Sequence, residues 1–112
     1  MATRDYSDIQ EEHIAKVTGG KVQSNSGGTK FGGGDIHTTS FFIEAKTQTS
    51  DKASFSIKKA WFDKMQEQAF EQGKRESVLA FRFGPESKDY YVLTERQFLD
   101  YLEWREEQYA KF

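Results

Sequence analysis

The chain contains no cysteine, which excludes a disulfide framework, a zinc–thiolate site and a thiol nucleophile. It has only two histidines, His13 and His37, too few for a histidine-rich metal site. No apolar run approaches the roughly 18 residues that a membrane span needs. The opening Met-Ala-Thr-Arg-Asp-Tyr lacks the apolar stretch of a signal peptide. Positive charge is not in excess either: 16 Lys and Arg against 18 Asp and Glu give a formal charge of −2. Composition therefore makes no global electrostatic case for nucleic-acid binding. A soluble, cytoplasmic protein with no membrane partner is the expectation.

What is present is aromatic and locally basic. Ten Phe, five Tyr and two Trp among 112 residues allow a modest core of bulky side chains in a single domain, 1–112. Lys46, Lys52, Lys58, Lys59 and Lys64 fall in the middle of the chain, whereas acids crowd the two ends. Such a chain either presents one positive face or carries a mixed, solvated surface.

The periodicities predict three helices and five strands. A helix is expected over 7–17, with Ser7 and Gln10 at capping-box spacing, Ile9, Ile14 and Val17 as its apolar stripe, and Gly19-Gly20 as its stop. A short strand, 21–24, follows. Five glycines within 25–34 mark a loop. It is either an ordinary hairpin loop or a close approach for a nucleic-acid backbone, with Ser26, Thr29 and Lys30 as phosphate donors. It is not a P-loop, because no Gly-Lys-Ser/Thr follows at the required gap. A second helix is expected over 57–72, capped by Ser56, with Ile57, Trp61, Met65 and Ala69 on one face. Lys58 and Lys59 open it, where cations are unfavourable unless they face an anion. Ser77–Phe83 and Tyr90–Leu93 read as a hairpin. Thr94 with Gln97 starts a last helix, about 95–109, with Phe98, Tyr101 and Leu102 inward and Trp104 and Tyr109 left over for a partner surface.

The stretch on which the chain turns is Gly-Gly-Asp35-Ile and Phe-Phe-Ile-Glu44-Ala45-Lys46. Two adjacent strands joined through His37–Ser40 bring Asp35 and Glu44 together although they lie nine apart in sequence. Side chains two apart share a strand face, so Glu44 and Lys46 stand side by side while Phe41, Ile43 and Ala45 face a core. The plainer reading is a wet edge strand with a weak surface pair. The chemical reading is a divalent-metal site. Asp35 and Glu44 offer hard oxygen ligands, the Ala45 backbone carbonyl a third, and Lys46 lies beside the bound water and a scissile phosphate. Gln48 continues this face if the strand runs on.

The order αβββαββα around a mixed sheet of about five strands is an α/β sandwich. With Asp35, the Ile-Glu44-x-Lys46 strand, the Gly-rich segment before the Asp, a glutamate about 24 residues upstream and the Leu-Ala-Phe-Arg-Phe strand, nearly the whole chain resembles the PD-(D/E)xK nuclease superfamily. Within it, the likeness is to the small Holliday junction resolvases of archaeal and phage type. The resemblance implies a restriction-endonuclease-like core, Asp35 and Glu44 as Mg²⁺ ligands (Mn²⁺ substituting) and Lys46 as the catalytic lysine. It also implies a first-helix acid at Glu11, with Glu12 as the alternative register. Lys52, Lys58 and Lys59 join Ser26, Thr29 and Lys30 as candidate DNA contacts. The implied activity is nicking of four-way junction DNA by a homodimer, in the host cytoplasm if the gene is a phage's. Gly34 replaces the motif proline, at a position that carries no chemistry. Two alternatives stay open: another nuclease of the superfamily acting on duplex or flap DNA, and a non-catalytic DNA-binding or assembly module of the same fold.

Overall fold

The computed structural model of the protein describes residues 3–23 and 33–111. Among these, the elements run α1 (Thr3–Thr18), β1 (Lys21–Val22), β2 (Gly33–His37), β3 (Phe41–Lys46), α2 (Lys59–Glu71), β4 (Glu76–Phe81), β5 (Tyr90–Val92) and α3 (Glu95–Ala110). The strands make one five-stranded sheet in the order β1-β2-β3-β4-β5. All neighbours are antiparallel except β3 and β4, which are parallel. A parallel neighbour requires a crossover, and α2 supplies it. The chain is thus an α/β protein with a mixed sheet.

The two helices that pack on the sheet take opposite faces. Ile14 of α1 lies against Ile36, Ile43, Ala45 and Ala80. Met65 and Ala69 of α2 lie against Phe42 and Leu79, with Trp61, Phe62 and Val92 alongside. Strand alternation then assigns the rest of β3. Phe42, Glu44 and Lys46 stand on the α2 face, and Ile43 and Ala45 on the α1 face. Phe41, expected in the core, is exposed at the start of the strand.

Helix boundaries depart from the sequence reading in two places. α1 begins at Thr3, a turn before the expected start. Ser7 and Gln10 are therefore not a cap. Three-residue spacing also defines a helix face, and both side chains are buried with Ile14, while Ile9 and Val17 are exposed. α2 begins at Lys59, with Lys58 as an N-cap that makes no side-chain cap hydrogen bond, so Ser56 caps nothing and Ile57 is exposed. Glycine is required where the helices end. At Gly73, φ is 71°, which lets the chain leave α2. At Gly20 an added Cβ would lie 2.6 Å from the His37 carbonyl oxygen, so only glycine lets the α1–β1 turn approach β2.

α3 is the element whose packing differs most from expectation. Its start is as read: the Thr94 hydroxyl accepts the Gln97 N–H and the Gln97 side chain accepts the Thr94 N–H, a complete capping box. However, none of its side chains is buried, and Phe98, Tyr101 and Leu102 are exposed with Leu99, Trp104 and Tyr109. Among the described residues it packs against no other helix or strand. Its root is held by polar contacts instead. Arg96 Nη2 donates to Glu76 Oε1 at 2.7 Å, and Gln97 Nε2 donates to Glu76 Oε1 and to the Ser77 carbonyl, each at 3.0 Å.

Burial pushes the Glu76 carboxyl up, but the hydrogen bonds from Gln97 and Arg96 and the Arg96 charge outweigh it and hold the group below its usual value of 4.5. A depressed carboxylate pKa contributes stability above the unfolded value that is lost as pH falls through the folded one. The root of α3 is therefore expected to loosen only as pH falls below the usual glutamate value, read as faster amide exchange in α3 before β3 and β4 open. In the core, Phe42→Ala is expected to cost about 3–5 kcal/mol in urea unfolding.

Candidate active site

The register of β2 on β3 decides the geometry. Asp35 pairs directly with Glu44, and Gly33 with Lys46. Residues directly opposite in an antiparallel pair project to the same face with Cβ atoms about 5 Å apart. Asp35, Glu44 and Lys46 thus share the face beneath α2. Asp35 is buried, with 4% of its surface exposed. Lys46 Nζ lies 3.6 Å from Glu44 Oε2, and the two side chains are 19% and 13% exposed. This is not the wet surface pair of the plainer reading, because both groups have left most of their water.

α2 closes the site from above with one side chain. The Lys46 ammonium sits 4.7 Å from the centre of the Trp61 ring, and Lys58 Nζ approaches the same ring at 5.9 Å. Trp61 is half-buried and lies beside Phe55 and the α2 core cluster. The ring that the sequence places on the apolar face of the second helix thus serves both core packing and the site. Sequence reasoning left it out of the site, although its place a turn into a lysine-opened helix was a usable signal.

The remaining candidates divide. Glu11 is half-buried on α1, which covers the opposite face of the sheet, and Glu12 is exposed. No three Asp, Glu or His side chains among the described residues come together as a metal-holding group, so Glu11 is not grouped with Asp35 and Glu44. Ala45 lies within the ladder between Gly34 and Ala80, so its carbonyl points along the sheet plane and not out of the face. Gln48 turns away to donate to the Ser54 carbonyl at 3.1 Å. Lys52 and Lys58 are exposed, and Lys59 is exposed but engaged with Asp63 at 3.0 Å. Ser26, Thr29 and Lys30 lie outside the described residues.

Comparison of the chain with protein-family models, with curated proteins and with solved structures finds no match in any of the three. The likeness to the nuclease superfamily therefore rests on the residues themselves.

Lys46 is the cation paired with Glu44 on this face. Lys46→Met is expected to cost about 1–2 kcal/mol, below the buried-pair range because both partners keep some water. Glu44→Gln removes one of the two acids and is expected to cost less. Thermal melts of the two variants at neutral pH check the order.

Proposed function

We propose that the protein is a divalent-metal-dependent endonuclease of the PD-(D/E)xK type, with a restriction-endonuclease-like core, acting on branched DNA as a Holliday junction resolvase. One observation carries the reading: a buried Asp35 directly opposite Glu44, with Lys46 beside it on the same sheet face. The donor set fits Mg²⁺, which is commonly held by one or two carboxylates, with water and substrate phosphate completing the shell. Mn²⁺ has the same oxygen preference. Asp35 and Glu44 would hold the ion, and Glu11 is not needed for that shell. Bound there, the ion supplies a water of lowered pKa and offsets charge on the phosphate.

The chain's own groups do the rest. Lys46 presents an ammonium to the water or to a phosphate oxygen, where a fixed cation stabilises developing charge. Glu44 and the Trp61 ring hold that ammonium from two sides, through an ion pair and a cation–π contact. Exposed Lys58 and Lys52 supply charge for the DNA backbone, a sequence-independent contact.

The same reading includes a second copy of the chain, docked through α3. A helix of 16 residues without tertiary packing is marginal in water. On a helical wheel Phe98, Leu102 and Tyr109 fall within about 40° of one another, roughly opposite Arg96 and Gln97, which hold the root. The apolar stripe thus faces away from the protomer. Its side chains are exposed, as is Leu93 just before the helix, and a stable pair buries roughly 800 Å² per partner.

Purified protein is expected to nick a synthetic four-way junction with Mg²⁺ and not with EDTA, and to cut flap and linear duplex DNA more slowly. Asp35→Asn and Glu44→Gln should each abolish cleavage while preserving the fold and junction binding. Full activity in either variant removes the metal-site assignment, and equal rates on all three DNAs remove the junction preference. Leu102→Glu should convert a dimer to a monomer in sedimentation.

A further inference from the structure

Behind the site, on the α1 face of the sheet, lies a buried polar chain that the reaction above does not use. Arg82 Nε donates to Asp89 Oδ1 at 2.8 Å, and Nη2 to Oδ2 at 3.0 Å, a bidentate pair. The two side chains are 7% and 4% exposed. Arg82 Nη1 also donates to the Pro85 carbonyl at 3.0 Å. His13 of α1 approaches from the rim, its Nε2 3.9 Å from Asp89 Oδ2.

The chain ends on the backbone of Lys46. Gln10 of α1, 1% exposed, uses both of its side-chain N–H groups. One donates to Asp89 Oδ1 at 3.0 Å and the other to the Lys46 carbonyl at 2.9 Å. The same carbonyl accepts the Arg82 backbone N–H at 3.2 Å. Lys46 is the last residue of β3, where the ladder stops. A strand end is free to fray unless something beyond the ladder holds it.

We infer that Gln10 is a positioning residue for Lys46. Its amide, itself fixed by the Asp89–Arg82 pair, sets the backbone at the end of β3. It thereby holds the Lys46 ammonium between Glu44 and Trp61. A purely structural role fits less well. A buried leucine at position 10 would pack against Ile14 without needing a partner, whereas a buried amide is costly unless its hydrogen bonds are made. Both donors are used here, and one is spent on the residue that bears the lysine paired with Glu44. The geometric stake is large, because a misplacement of about 1 Å at a catalytic group can cost on the order of 100-fold in rate.

The consequence for cleavage rests on the nuclease reading, but the placement of Lys46 does not, so the test has two readouts. The Hε protons of Lys46 sit over the Trp61 ring and should carry an upfield ring-current shift in the NMR spectrum. Gln10→Met, of similar length with no donor, should reduce that shift by half or more. It should also lower the single-turnover rate of junction cleavage about tenfold while leaving DNA affinity unchanged. Gln10→Glu, whose carboxylate cannot donate to the Lys46 carbonyl, should behave in the same way. A Lys46 shift that stays at its wild-type value in a folded variant overturns the inference, as does a loss confined to DNA affinity. If the wild type cuts no DNA, the nuclease reading fails and the Lys46 shift alone decides the role of Gln10. If neither variant folds, the wild type decides: its Gln10 side-chain amide protons must be protected from exchange, and rapid exchange overturns the assignment.

Discussion

The structure depends on one register, that of β2 against β3. Asp35 stands opposite Glu44, and Ile36 opposite Ile43. Because side chains alternate with a period of two, a slip of one residue would carry Asp35 into the apolar layer beneath α1 and push Ile36 towards the charged face. The tight turn from Thr38 to Phe41 fixes this register. The Thr38 N–H donates to the Phe41 carbonyl at 3.0 Å, and the Thr38 hydroxyl accepts the Phe41 N–H at 3.0 Å. The packing of Ile36 and Ile43 around Ile14 enforces it from the other side. The core and the candidate site are therefore one constraint seen from opposite faces of the sheet.

Most of the architecture was legible in the sequence because it is written in local signals. The period-two pattern of Phe41–Lys46, the turn residues after His37, the Thr94–Gln97 box and the Trp61/Met65/Ala69 spacing each correspond to an observed feature. The juxtaposition of Asp35, Glu44 and Lys46 followed from the hairpin alone. Features set by tertiary contact were not legible. Ser7 and Gln10 have cap spacing, but an i, i+3 pair is also one face of a helix, and only the sheet beneath decides between the two. Phe98, Tyr101 and Leu102 make an apolar stripe, and periodicity cannot say whether a stripe meets its own sheet. Trp61 and Gln10 escaped notice as site residues for the same reason. Their roles depend on a lysine and a carbonyl far along the chain.

The two sheet faces divide the labour of handling charge. Under α2, Glu44 and Lys46 pair while keeping part of their water, with the buried Asp35 beside them. Under α1, the Arg82–Asp89 pair is fully enclosed and satisfied by Gln10 and the Pro85 carbonyl. A buried pair of this kind is weak grounds for stability, since apolar residues often serve as well. What it supplies here is a fixed distance between α1, the end of β3 and the chain entering β5.

That fixed distance limits how the turn between β4 and β5 can vary. Lengthening a surface loop ordinarily changes its closure entropy only slightly. This loop is closed by a salt bridge at Arg82 and Asp89, and its interior is filled by the Ser87 hydroxyl, which accepts the N–H groups of Phe83 and Gly84. An inserted residue would swing Asp89 away from Gln10 and unfasten the first helix from the far side of the domain. Replacements at exposed positions such as Glu86 and Lys88 leave these contacts untouched, whereas a change in the length of the segment is felt at Gln10, 79 residues earlier in the chain.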